Sequence, residues 1–90
     1  MRPSKNQLLI NALATEIKLR RHALGFSQED LADHCQLDRP YISLIEVGRK
    51  QPTLSVLLSL ADGLQYSLAE FMGLVQERYL LEREVEAARH

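Results

Sequence analysis

The stretch from Ser27 to Lys50, SQEDLADHCQLDRPYISLIEVGRK, constrains the fold of this chain more than any other. Leu31 and Ala32 share one face of a short helix. That helix starts at Ser27, whose side-chain oxygen can accept from the unpaired amides of a first turn. Ile42 and Ile45 share one face of a second helix that starts between Asp38 and Pro40. Gly48 stops it, and the basic pair Arg49–Lys50 follows. Cys35-Gln36-Leu37 is the turn between the two. A helix, a turn of three or four residues and a second helix form a compact supersecondary unit. The outer face of the second helix is then free to touch a partner.

The flanking segments are also helical. Ile10, Leu13, Ala14, Ile17 and Leu24 fall at helical spacing along a first helix that begins at Asn6 and ends at Gly25. Arg21 lies within that apolar stripe, and a buried arginine requires an acidic partner. Pro40 is tolerated in a first helical turn but pushes Arg39 toward an extended conformation. Thr53 caps a fourth helix, whose leucines cover most of its surface and predict deep burial. Gly63 ends it. Ser67 and Glu70 form a capping box for a fifth helix carrying Leu68 and Phe71. Gly73 either stops that helix or sits inside it. From Leu74 to His90 the chain is strongly helical again, with Leu74, Leu81, Val85 and Ala88 spaced like a short coiled-coil seam that Arg78 interrupts. The expected architecture is all-α, with five or six helices and a frayed Met1–Lys5. Residues 1–73 form the domain and 74–90 a C-terminal helical extension.

Composition narrows the function. The chain is 46% hydrophobic and 26% charged, which is globular rather than disordered. One cysteine excludes an internal disulfide and fits a reducing cytosol. No apolar run approaches the ~20 residues of a membrane span, and the N-terminus lacks a signal-peptide core. These features place the chain in the cytoplasm, away from membranes. Net charge is −1, but it is unevenly spread: residues 1–50 hold eight Lys/Arg against six Asp/Glu, and residues 51–90 hold three against six. The basic excess lies in the half that contains the two-helix unit.

Catalytic and metal-binding readings find little support. His34 and Cys35 are adjacent and point apart on a helix, which does not make a zinc site. No glycine-rich phosphate loop exists, and no partner is suggested to activate Cys35. The chain is expected to be no enzyme, with no cofactor, metal or small-molecule ligand. The second helix offers more. With Ile42 and Ile45 inward, its outer arc is Arg39, Pro40, Ser43, Leu44 and Val47. Arg39 can reach a guanine edge or a phosphate, Ser43 a base or phosphate, and Leu44 and Pro40 a thymine methyl. Gln28 can meet a phosphate at the start of its helix. Arg49 and Lys50 lie where a DNA backbone would run.

The runs GFSQEDLA, LDRPYISLIEVGRKQPTLSVLLSLADGL and SLAEFM together resemble the Cro/repressor-type, or XRE-like, helix-turn-helix family, over about Ile17 to Met72. The resemblance implies a five-helix repressor-like domain with the helix-turn-helix at helices two and three. It implies double-stranded operator DNA as partner, bound as a homodimer. It assigns Gln28 to phosphate contact, Arg39, Pro40 and Leu44 to base reading with Ser43 beside them, and Arg49 and Lys50 to the backbone loop. Tyr41 belongs to the same DNA-facing set. Arg21 and Glu46 match the family's internal ion pair. Four residues depart from the family pattern: Gln36 for a turn glycine, Asp38 for a small hydroxyl residue, Leu44 for a polar reader, and Val47 for asparagine. They weaken DNA binding or shift its target and leave the fold untouched.

The expectation is a sequence-specific transcriptional regulator, a repressor that acts as a homodimer on a palindromic operator. Leu74, Leu81 and Val85 are expected at the dimer seam, or else to fold back on the monomer. The alternative is a protein-interaction module that uses the helix-turn-helix as scaffold and docks through Leu44 and Val47.

Overall fold

A computed structural model describes residues 5–89, so most of the expected frayed segment Met1–Lys5 lies outside the described residues. Five helices follow one another: α1 (Gln7–Ala23), α2 (Gln28–Cys35), α3 (Arg39–Glu46), α4 (Leu54–Gly63) and α5 (Leu68–Ala88). No strand occurs among the described residues.

Local chemistry explains most boundaries. Asn6, Ser27, Thr53 and Ser67 each accept a backbone N–H of the following turn. The Ser27 and Ser67 caps are reciprocal, because Asp30 and Glu70 accept the cap residues' own N–H at 2.9 Å. α1 gives way to Gly25 at φ +73. Gln36 takes the left-handed conformation of a turn glycine (φ 56), so the helix-turn-helix keeps its shape without one. At α3 the extended residue is Asp38 and not Arg39, which is already the first helical residue. The Asp38 carbonyl accepts from both Tyr41 and Ile42, closing the first turn across Pro40.

The core forms where all five helices meet. Ile17, Leu31, Ile42, Ile45, Leu60, Leu64 and Phe71 are fully enclosed. α1 and α5 lie against each other along Ile10, Leu13, Phe71 and Val75, pinned at the rim by Arg78 Nε donating to Glu16 at 2.8 Å. Tyr66, just before the α5 cap, stacks on Phe71 four residues after it, with ring centroids 6.0 Å apart. This is a hydrophobic staple that fixes how the chain enters α5.

One expectation needs correction. α4 is not deeply buried: Leu60, Ala61 and Gly63 face the core, while Leu54 is 72% and Leu58 48% exposed. Apolar residues all round a helix identify surfaces that want cover, and this chain alone covers one side. The left-handed residue after α4 is Gln65 (φ 64), and Gly63 is the last residue of the helix, as expected. Its role is contact, because a Cβ at 63 would collide with the Cys35 sulfur where α2 crosses α4. α5 runs unbroken through Gly73, which selects the interior glycine of the two alternatives and gives five helices among the described residues, with the 73/74 junction inside α5.

Candidate nucleic-acid interface

α3 is held from beneath by an ion-pair network. Arg21 on α1 donates through Nε to Glu46 Oε2 at 2.7 Å and through Nη2 to Glu46 Oε1 at 2.9 Å. Such two-point pairing fixes orientation as well as distance. Arg21 Nη1 also donates to the Phe26 carbonyl at 2.9 Å, which ties in the chain between α1 and α2. The side chains are only 10% and 3% exposed. Glu46, whose hydrogen bonds are the larger cause and whose charge adds to them, raises the Arg21 pKa against the opposing effect of burial. Gln28 joins the network by donating Nε2 to Glu46 Oε1 at 3.2 Å. One of its amide hydrogens is therefore turned inward, and a phosphate would meet the other hydrogen or the backbone amides that open α2.

Above this base the outer residues of α3 are available. Arg39 and Pro40 are exposed at its start and Leu44 is 41% exposed one turn on. Tyr41 and Ser43 are half-buried. Past the helix, Val47 (63%), Arg49 and Lys50 are exposed. Lys50 Nζ lies 5.8 Å from the Tyr41 ring centroid, so the loop folds back toward the first turn of α3. Arg39, Arg49 and Lys50 thus flank an apolar centre of Pro40, Leu44 and Val47. Asp38 makes no side-chain cap and adds an exposed negative charge at the edge. The acidic side chains of α2, Glu29, Asp30 and Asp33, are exposed as well.

Cys35 sits under the turn, buried, and desolvation pushes its thiol up to about 11. It is a packing residue at neutral pH. Among the described residues no group of His, Cys, Asp and Glu is arranged to hold a metal ion. No described helix is long and apolar enough to cross a membrane. Leu74 is half-buried on α5, while Leu81 and Val85, nearer its C-terminal end, are 61% and 54% exposed. Sequence reasoning missed the Gln28–Glu46 bond, the Lys50–Tyr41 approach and the Arg78–Glu16 pair. Arg78 did carry a signal, since a charge interrupts an apolar seam there, but nothing local pointed to Glu16 as its partner or to Tyr41 as the neighbour of Lys50.

A small all-α domain with a short helix so exposed after a tight turn is a helix-turn-helix protein. The helix-turn-helix family model matches residues 17–71, and the chain belongs to that family, in its XRE-like branch. It is 38% identical over 69 residues to a hypothetical transcription factor of Neisseria meningitidis serogroup B, a match covering 77% of this chain and 65% of that protein. The chain thus spans a little under two thirds of that relative. It is 35% identical over 60 residues to the control protein C.MunI of a Mycoplasma species, covering 67% of this chain and 81% of that one. Among solved structures it resembles the restriction-modification controller protein C.Esp1396I, captured as a tetramer with its natural 35 base-pair operator. The TM-score is 0.74 at 35% identity, over 80% of this chain and 95% of that one.

Proposed function

We propose that this chain binds double-stranded DNA as a homodimer and regulates transcription, acting as a repressor at a palindromic operator in the cytoplasm. The observation that carries this is the exposed outer face of α3, fixed from below by Arg21 and Glu46 and flanked by Arg39, Arg49 and Lys50. The operator complex of C.Esp1396I supports it. Gln28, Arg49 and Lys50 contact phosphates and set the register; Arg39, Ser43 and Leu44 meet base edges; Pro40 and Tyr41 shape the start of the helix. One domain of this size makes few phosphate contacts, so two copies are needed for useful affinity. Two-fold symmetry then sets the recognition helices roughly 34 Å apart in successive major grooves. The activity requires no cofactor, no small-molecule ligand and no catalysis.

Selection of bound sequences from a random duplex pool tests this. A palindrome should emerge, and Arg39→Ala should lose about 1–3 kcal/mol at one base position per half-site. Lys50→Ala should weaken all sequences alike and lower the salt slope by about one. Enrichment of no sequence, together with salt-independent binding, would remove DNA as the target. That result would favour the second reading, in which exposed Leu44 and Val47 dock on a protein.

A further inference from the structure

Gln7, the first residue of α1, reaches a segment 41 residues away. Its side-chain amide donates to the Gly48 carbonyl at 2.8 Å and to Asn11 Oδ1 at 2.9 Å. The peptide unit joining Gly48 to Arg49 is planar and stiff. Its other end, the Arg49 N–H, donates to the Leu44 carbonyl at 3.0 Å. One peptide plane is thereby held from two sides, by α1 and by α3. The fit is close: Gly48 has φ +75, and a Cβ there would lie 2.6 Å from Asn11 Oδ1 and 3.3 Å from Gln7 Nε2. The start of α1 is itself anchored, because Asn6 accepts from the Leu9 N–H at 3.1 Å and donates to the Tyr79 hydroxyl at 3.2 Å.

We propose that Gln7 is a positioning residue for the nucleic-acid face. It sets the plane of the Gly48–Arg49 peptide and so aims the Arg49–Lys50 pair. This role rests on the assignment of Arg49 and Lys50 as phosphate contacts. A basic loop that is already ordered in the free protein loses less conformational freedom on binding than a loose one. α1, remote from the helix-turn-helix in sequence, thus contributes to affinity without touching DNA.

Gln7→Met keeps the length of the side chain and removes the donor. In the free protein, hydrogen exchange at the Arg49 amide should quicken while the core amides of Ile17 and Leu60 hold their rates. Unchanged exchange at Arg49 overturns the clamp. On DNA, Gln7→Met should weaken operator and random duplex alike by about two- to ten-fold, the range of one neutral hydrogen bond. That loss should vanish when Arg49 and Lys50 are both alanine; an equal loss in that background overturns a role through the loop. A parent chain with no salt-dependent affinity for duplex DNA overturns the DNA assignment, and Arg49 exchange then decides the clamp by itself.

Discussion

Glu46 is the residue on which the recognition helix depends most. It accepts from Arg21 through both oxygens and from Gln28 as well, yet it stands in the helix whose outer face is left exposed. Removing one member of a buried pair leaves the other charge without compensation, which costs about 3–5 kcal/mol. Glu46→Ala should therefore destabilise the domain by that order, read from the denaturant midpoint. Replacing Arg21 and Glu46 together by apolar residues of similar volume should recover most of it. A loss of under about 1 kcal/mol for Glu46→Ala would show that the pair is hydrated in solution. The need for an acid opposite Arg21 was legible in the sequence, because arginine stands inside an apolar stripe. Which acid was not legible from spacing, since 25 residues separate the partners, and the family resemblance supplied it.

At the scale of elements, what could be read locally was read. Caps act within one turn, so Ser27, Thr53 and Ser67 mark helix starts wherever they appear. Contacts that close over dozens of residues do not name their partners locally: Arg78 stands out in an apolar seam but nothing near it points to Glu16, and Gln7 gives no sign of Gly48. Gly73 shows the limit of propensity: the penalty for glycine inside a helix is outweighed by the packing of Phe71 and Val75 on α1. It is exposed, and a Cβ there would meet nothing within 4 Å. Gly73→Ala should therefore stabilise the chain by about 1 kcal/mol, measured by thermal or denaturant unfolding. A destabilised variant would mean that α5 bends at this point. The two capping boxes also predict a pH dependence. Hydrogen bonds from the Ser27 and Ser67 backbone, and next from their hydroxyls, hold the Asp30 and Glu70 carboxyls below their usual range. A folded-state pKa below the unfolded one adds stability that is present above the unfolded value. It is lost as pH falls through the folded value. Melting temperature should thus decline from about pH 5 downward, and less steeply in Glu70→Gln, which has no carboxyl to protonate. Parallel profiles for parent and variant would count against the box.

Considered as a whole, the described residues leave two apolar surfaces uncovered besides the outer face of α3, and they bear on how copies would associate. One is the distal part of α5, with Leu80, Leu81 and Val85 exposed. The other is the outer face of α4, where Leu54 and Leu58 lie one turn apart. Beside it a groove of about 240 Å³ is lined by Leu9, Leu57 and Met72 among others. α5 does not choose between folding back and standing free, because Phe71, Val75 and Tyr79 serve the monomer while Leu81 and Val85 are offered outward. Assignment of the dimer to the α5 seam makes a definite forecast. Leu81→Asp with Val85→Asp places two like charges in a seam that two-fold symmetry doubles, so sedimentation should show monomers at concentrations where the parent is dimeric. Helix content should be unchanged, since neither side chain supports the core. Monomers produced instead by Leu54→Asp with Leu58→Asp, with the α5 variant still dimeric, would move the interface to α4. Operator affinity decides whether the interface matters for function. Loss of the dimer should leave weak, salt-dependent binding with base preferences confined to one half-site, because each recognition helix keeps its own face and loses its symmetry mate.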